Sequence, residues 1–367
     1  MRESRNRRDK MKRNRVYSLD VLRIVATTFI LLHHFQQLTG AFYEGMVNFY
    51  AGRFVFARMN EFFFILSGYL AQAPEWGKEG EQPSFRRYIT PKLIRLLPLL
   101  AISALAYEVL YYLYICFGRD TWMMEGWMDI PGMIITSLGL AVGGPFVNPG
   151  INNPTWYISV LILCHGMFYF VSWLAYRFRI DRNYLYAAVI LFAIGARNYE
   201  ISLPFLTDET ELGYYCFLWG NLLSRYHEDG KHRWDAKKCL KGSGIAGVLI
   251  WLYIAHPDWM VNYSGYLLAF VLYPIILSVF RSEYLERLFD HSWLGVLGKI
   301  TYDVYIWHCP LLLALHVFAP GVLRRVGDSY WYMLLFIPVA YITGTISWLL
   351  IDRPVTQTIR TKCGNLI

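Results

Sequence analysis

The chain has 367 residues, of which 56% are hydrophobic and only 17% are charged, whereas soluble domains are about 25% charged. The apolar residues occur in long blocks, so this composition excludes an ordinary soluble protein. The net charge of +8 does not indicate nucleic-acid binding, because residues 1–15 contain eight basic and two acidic residues and account for most of it. A basic tail before the first apolar segment is typical of an N-terminus that stays in the cytoplasm.

Apolar segments of membrane-spanning length recur along the chain and predict an all-α fold, a polytopic membrane helix bundle of about ten transmembrane helices. Lys and Arg concentrate in alternate loops and near the C-terminus, which predicts that both termini are cytoplasmic. We therefore expect an integral, multi-pass protein of the plasma membrane, surrounded by membrane lipid. The predicted spans are 19–38, 49–72, 94–117, 155–176, 184–199, 212–226, 242–256, 263–280, 294–317 and 329–351.

The same pattern divides the chain into a basic cytoplasmic tail, 1–17, a transmembrane domain, 18–355, and a second cytoplasmic tail, 356–367. Segment 120–154 differs from the spans around it because it is rich in Gly, Pro and Asn. On the outer face it forms either a re-entrant element over a cavity or a long ordered loop. Both interpretations remain open from the sequence.

The first span contains an arginine and a histidine on one helix face. Arg23 and His34 are eleven residues apart, which is three helical turns to within about 20°. Their separation along the axis is about 16 Å, so Arg23 lies at the cytoplasmic end and His34 near the middle of the membrane. A neutral histidine there can act as a general base. The alternative is structural: Arg23 reaches to the interface and His34 bonds a neighbouring helix.

Two further patterns lie near the predicted cytoplasmic side. Ser67 and Gly68 end the second span, where small residues allow close helix packing. Lys92 and Arg95 are three residues apart at the start of the third span, so they project from one side of the helix and can hold the phosphates of a cytosolic cofactor. Ordinary anchoring by positive residues at the interface is the alternative reading of this pair.

A polar stripe runs along the ninth predicted span. Tyr302, Tyr305 and His308 recur every three residues and therefore share one side of the helix, with Pro310 just beyond them. Buried tyrosines are often core residues with a bonded hydroxyl group, so the stripe alone does not define a site.

In this order the motifs resemble acyltransferase family 3, the transmembrane acyltransferases, whose members typically have ten spans. The resemblance extends from Ser18 to Pro354, nearly the whole chain. The matching positions are Arg23 and His34; Phe63, Phe64, Ser67 and Gly68; Lys92, Arg95 and Pro98; Trp156 and Tyr157; Gly220; Thr301, Tyr302, Tyr305 and His308; and Asp352 to Pro354.

The resemblance implies transfer of an acyl group, expected to be acetyl, from cytosolic acyl-CoA to a hydroxyl of a cell-surface glycan or lipid-linked saccharide. Acetyl-CoA is then the donor, and no metal is expected. In this interpretation His34 is the general base, and Tyr302, Tyr305 and His308 orient the acceptor or polarise the thioester. The residues expected to bind CoA are Arg23, Lys92, Arg95 and Ser67.

Two positions depart from the family pattern. Lys92 stands where many members have arginine, so a bidentate phosphate contact becomes a point charge. Leu161 stands where many members have an acidic residue, so an acid on that helix is absent.

Two other functional classes remain as alternatives. A proton-coupled transporter or flippase would use His34, Arg23 and His308 as an intramembrane relay, without consuming acyl-CoA. A sensor or scaffold domain would keep the fold without the chemistry, although the intact Arg23 and His34 argue against it.

Overall fold

The computed structural model describes residues 15–50, 58–74, 84–117, 129–142, 152–228, 234–255 and 264–362. These residues form helices and no strand, with one isolated bridge between Leu203 and Leu206. The helices are α1 (Tyr17–Thr39), α2 (Met59–Leu70), α3 (Phe85–Phe117), α4 (Ile130–Ser137), α5 (Trp156–Phe178), α6 (Arg182–Asn198), α7 (Asp208–Glu228), α8 (Ala236–Ala255), α9 (Ser264–Leu267), α10 (Tyr273–Phe280), α11 (Glu283–Leu288), α12 (Ser292–Phe318), α13 (Pro320–Leu323), α14 (Tyr330–Ser347) and α15 (Arg353–Lys362). Single π-turns, Leu268–Leu272 and Trp348–Asp352, join α9 to α10 and α14 to α15.

The all-helical membrane character predicted from the sequence is confirmed. Among the described residues four helices are long and apolar enough to cross a membrane, and a fifth qualifies if α12 and the segment Pro320–Asp328, which bend by 100°, count as one span. The other predicted spans also fall on helices, but these are shorter or more polar: α2 has 12 residues, and α7 begins with three acidic residues. The total of ten therefore stays a prediction. The four helices are Tyr17–Thr39, Phe85–Phe117, Trp156–Phe178 and Tyr330–Lys362.

Helices α1 and α12 pack side by side and run in the same direction. Near their first residues, Gly298 of α12 lies directly against the Asp20 side chain of α1. Near their last residues, His316 Nε2 donates a hydrogen bond to the Leu38 carbonyl at 3.1 Å. The N-terminal parts of the two helices contact each other, and so do their C-terminal parts. The helices are therefore parallel.

Helix α3 lies on the other side of α12 in the same orientation. The Tyr302 hydroxyl donates to the Leu96 carbonyl at 2.6 Å, and farther along the ring of His316 meets the ring of Tyr114 edge-on, with centroids 6.4 Å apart. The three helices on which the sequence places Arg23, Arg95 and the polar stripe are therefore parallel neighbours.

Helices α2 and α7 approach each other more closely than any side chain would allow. A Cβ atom on Gly68 would overlap the backbone carbonyl of Phe217, and one on Gly220 would overlap that of Ile65. Each glycine lies against the backbone of the other helix, so the two backbones are in direct contact. The close packing predicted at Gly68 is confirmed.

The described parts of segment 120–154 reach the interior of the bundle; residues 120–128 and 143–151 lie outside the described residues. Helix α4 is capped by Asp129, whose Oδ1 accepts from the Gly132 amide at 2.8 Å, and it packs along α3. The Asn152 amide nitrogen donates to the Ile306 carbonyl at 3.3 Å, and the Pro154 carbonyl accepts from the Tyr305 hydroxyl at 2.5 Å. Both contacts are in the middle of α12.

We expect Gly220→Ala to destabilise the fold by about 1–3 kcal/mol, because the added methyl group must push α2 and α7 apart. Thermal unfolding in detergent measures this loss. Gly166→Ala is the matched control, since a Cβ on Gly166 meets no neighbouring atom. Equal midpoints for the two variants would show that the α2–α7 contact does not limit stability.

Candidate functional site

A cavity of about 440 Å³ lies between α1, α2, α3, α5 and α12, at the end where α1, α3 and α12 begin. The structure brings all four predicted CoA-binding residues to its wall, together with both tyrosines of the polar stripe. His34 and His308 are not among the lining residues. The polar and charged residues of the wall are Arg23, Thr27, Ser67, Gln72, Lys92, Arg95, Tyr157, His165, Thr301, Tyr302 and Tyr305.

The three cations of the cavity differ in how firmly they are held. Arg23 Nη1 forms an ion pair with the buried Asp20 at 2.8 Å, and Lys92 Nζ donates to the Tyr88 carbonyl at 2.9 Å while lying over the Tyr88 ring. Arg95 is exposed and forms no hydrogen bond or ion pair with the part of the chain that the structure describes. Arg95 is thus the cation most available to an anionic ligand.

Among the polar residues of the wall, His165 and Thr27 were not predicted from the sequence. His165 Nδ1 lies 3.2 Å from the Tyr88 hydroxyl, one helical turn beyond Leu161, the position at which the expected acid is absent. Thr27 follows Arg23 by one turn on the same face of α1, and its buried Oγ1 has no hydrogen-bond partner among the described residues. Extending the four-residue spacing from Arg23 and from Leu161 would have found both residues.

His34 and His308 form a hydrogen-bonded pair between α1 and α12. His308 Nε2 lies 2.9 Å from His34 Nδ1, and His308 Nδ1 lies 2.6 Å from the Tyr305 carbonyl oxygen. A carbonyl only accepts, so His308 Nδ1 has a hydrogen, and in the neutral ring His308 Nε2 then has the lone pair. His34 Nδ1 must then donate to it, which leaves the lone pair of His34 on Nε2.

The sequence left two interpretations of His34 open, a general base and a structural residue that bonds a neighbouring helix, and the pair is compatible with both. His34 does hydrogen-bond a neighbouring helix, but its partner is the other histidine of the predicted site. The bond selects the tautomer of His34 in which Nε2 has the lone pair.

The tyrosines of the stripe lie between the cavity and the histidine pair. Tyr305 lines the cavity, and its ring centroid is 5.8 Å from that of His308, one turn farther along α12. The hydroxyl hydrogens of Tyr302 and Tyr305 are both donated to backbone carbonyls, of Leu96 and Pro154. In this arrangement neither hydroxyl has a hydrogen left with which to polarise a thioester.

One group of side chains in the described ranges has a spacing that suits a metal ion. Ligand atoms of His34, His308 and Cys309 lie within 4.8 Å of one another. His308 Nε2 and His34 Nδ1 are already hydrogen-bonded to each other, so a metal ion bound by these two nitrogens would have to displace that bond. The expectation that no metal takes part stays a prediction.

Comparison with known families identifies the class. Residues 16–353 match the family model of the acyltransferase domain of acyltransferase family 3. The match spans nearly the whole chain, so the protein belongs to this family, as the sequence motifs predicted. Membership indicates a membrane acyltransferase. Comparisons with curated proteins and with solved structures gave no match.

Proposed function

We propose that the protein transfers an acetyl group from cytosolic acetyl-CoA to a hydroxyl of a cell-surface glycan or lipid-linked saccharide across the plasma membrane. The observation that supports this most is the hydrogen bond between His308 Nε2 and His34 Nδ1, which leaves the lone pair on Nε2 of a histidine whose helix also contributes Arg23 to the cationic cavity. A base and an anion-binding cavity on one helix are what acyl transfer from a phosphorylated donor needs.

The proposed topology follows from the parallel helices. The basic tail precedes α1, so the end of the bundle with Arg23 and the cavity is cytoplasmic. The chain then crosses about ten times, with both termini in the cytoplasm, and the described parts of segment 120–154, residues 129–142 and 152–154, belong to a re-entrant element on the outer side. The contacts of Asn152 and Pro154 with the middle of α12 support this arrangement.

The cavity is the proposed donor site. Arg23, Lys92 and Arg95 bind the phosphates of CoA, with Lys92 acting as a point charge. Deeper in the cavity, the unpartnered Thr27 hydroxyl donates to a carbonyl of the donor. Ser67, whose Oγ lies 3.0 Å from the Tyr157 hydroxyl, shapes the wall beside it.

The proposed reaction uses His34 as general base. Its Nε2 takes the proton of the acceptor hydroxyl while the hydroxyl oxygen bonds to the thioester carbonyl carbon. The carbon–sulfur bond then breaks, and the departing thiolate takes the proton from His34, which gives the ester and free CoA. The same lone pair could instead form an acyl-histidine intermediate, which trapping experiments distinguish from direct transfer.

Three predicted catalytic residues become positioning residues in this proposal. His308 fixes the tautomer of His34. Tyr305 holds the Pro154 turn against α12, and Tyr302 ties α12 to α3. Each acts on the geometry of the site through a hydrogen bond that the structure shows.

We expect His34→Ala to lower acetyl-CoA turnover by about 10²–10⁴-fold, because the general base is lost. The assay follows free thiol release by the purified protein in nanodiscs, with crude cell-surface glycan as acceptor. His291→Ala is the control, because His291 is an exposed residue just before α12. Substrate movement without thiol release would instead favour the transporter alternative.

We expect Arg95→Ala to weaken acetyl-CoA binding by about tenfold or more, because a charge-assisted contact to phosphate contributes about 1.5–3 kcal/mol. Equilibrium binding to the full-length protein measures this. Arg86→Ala, an exposed cation on the same helix outside the cavity, should bind like wild type. Equal affinities for both variants would contradict the donor site.

A further inference from the structure

A second group of side chains lies on the far side of the histidine pair from the donor cavity. It occupies the second halves of α3 and α12, where three tyrosines pack against Cys309 and Leu313. We call it the outer cluster and define it as Tyr107, Glu108, Tyr111, Tyr114 and His316.

The outer cluster begins where the histidine pair ends. Cys309 follows His308 directly, and its sulfur lies within 4.8 Å of the pair. Cys309 also packs in the same apolar group as Tyr107. Along α12 the order is therefore donor cavity up to Tyr305, histidine pair at His308, and outer cluster from Cys309 onward.

Two buried acceptor atoms in this cluster have no donor among the described residues. Glu108 is 2% exposed; its carboxylate accepts from the Asp129 backbone amide, but its Oε1 has no hydrogen-bond partner in the described part of the chain. His316 is 4% exposed. Its Nε2 donates to the Leu38 carbonyl, so in the neutral ring Nδ1 has the lone pair, and Nδ1 also has no partner within the described ranges. Buried polar atoms are rarely left unpaired, because each costs about 1–3 kcal/mol.

A third such atom is on α1, in the residue before Leu38, whose carbonyl accepts from His316. Gln37 follows His34 by three residues, and its buried Oε1 has no partner among the described residues. All three orphan atoms are hydrogen-bond acceptors. The missing partner is therefore a group that supplies several donors, as the hydroxyls of a sugar do.

The aromatic rings suit the same kind of ligand. The rings of Tyr111 and Tyr114 are nearly parallel, with an interplanar angle of 19°, and the ring of His316 stands edge-on to Tyr114. Flat ring faces next to hydrogen-bond acceptors match a sugar ring, which has an apolar C–H face and a rim of hydroxyls.

We propose that the outer cluster binds the acyl acceptor, and that the acceptor unit there is a hydroxyl-rich sugar without a negative charge. This proposal rests on the proposed acyl transfer and adds the location and charge of its second substrate. Glu108 sets the charge preference, because its carboxylate repels a uronate or phosphate but accepts from hydroxyl or ammonium groups. From the cluster, one sugar hydroxyl reaches the Nε2 lone pair of His34.

The test measures glycoside binding without acyl-CoA, using the full-length protein in nanodiscs and saturation-transfer NMR. The neutral probes are the methyl glycosides of glucose, galactose and mannose, and the anionic probe is methyl glucuronide. We expect wild type to bind at least one neutral probe and to bind the glucuronide at least tenfold more weakly. Binding of no neutral probe, or equal binding of the glucuronide, would overturn the proposal.

Two variants locate the binding in the cluster. His316→Phe keeps a ring but removes the orphan nitrogen, and should weaken neutral glycoside binding by about tenfold. Glu108→Gln should reduce the discrimination against methyl glucuronide. Glu283→Gln, at an exposed carboxylate on α11, is the control. Wild-type behaviour in both cluster variants would overturn the proposal.

Acetyl-CoA binding and thiol release, measured on the same samples, separate this proposal from the function on which it rests. Unchanged acetyl-CoA affinity in His316→Phe shows that the variant is folded. If the glycosides bind through the cluster but the protein releases no thiol, the proposed transferase function is wrong and the proposed sugar site stands. If both cluster variants release thiol at the wild-type rate with a glycan acceptor, the proposed sugar site is wrong and the transferase function stands.

Discussion

The site depends on one hydrogen bond, between His308 Nε2 and His34 Nδ1. It connects two parallel helices in the interior of the bundle, where an unpaired imidazole would be costly. Close packing makes the bond possible: Gly298 lets α12 approach Asp20 of α1, and Gly344 lets α14 press against Val304 from behind. Because the Tyr305 carbonyl fixes the proton on His308, the backbone of α12 ultimately selects the tautomer of His34.

Helix α12 organises the proposed chemistry along its length. Its first turns contribute Gly298, Thr301 and Tyr302 to the cavity that faces the cationic residues. Its middle holds the histidine pair, and its last turns form the outer cluster with α3. A donor and an acceptor entering from opposite ends would meet at the pair, which is how a bundle with parallel site helices can join substrates from two sides of a membrane.

The sequence predicted what local periodicity determines. Helix positions, the shared face of Arg23 and His34, and the close packing at Gly68 all follow from spacing and residue size. The pairing of His34 with His308 did not follow, because these residues are 274 positions apart and helix periodicity says nothing about which helices are neighbours. For the same reason the sequence did not give the hydrogen-bond partners of Tyr302 and Tyr305, which are carbonyls on α3 and in the segment before α5. The total of about ten spans stays a prediction, because α2 is short and α7 has three acidic residues in its first turn.

The most direct test of the tautomer account compares acetyl-CoA turnover in His308→Ala and His308→Gln. The glutamine side chain offers a carbonyl oxygen that can accept from His34 Nδ1, whereas alanine offers none. The account predicts a turnover number at least tenfold lower in His308→Ala, substantial recovery in His308→Gln, and unchanged acetyl-CoA affinity in both. Full turnover in His308→Ala would contradict it, because His34 would then act as a base without the bond that fixes its proton.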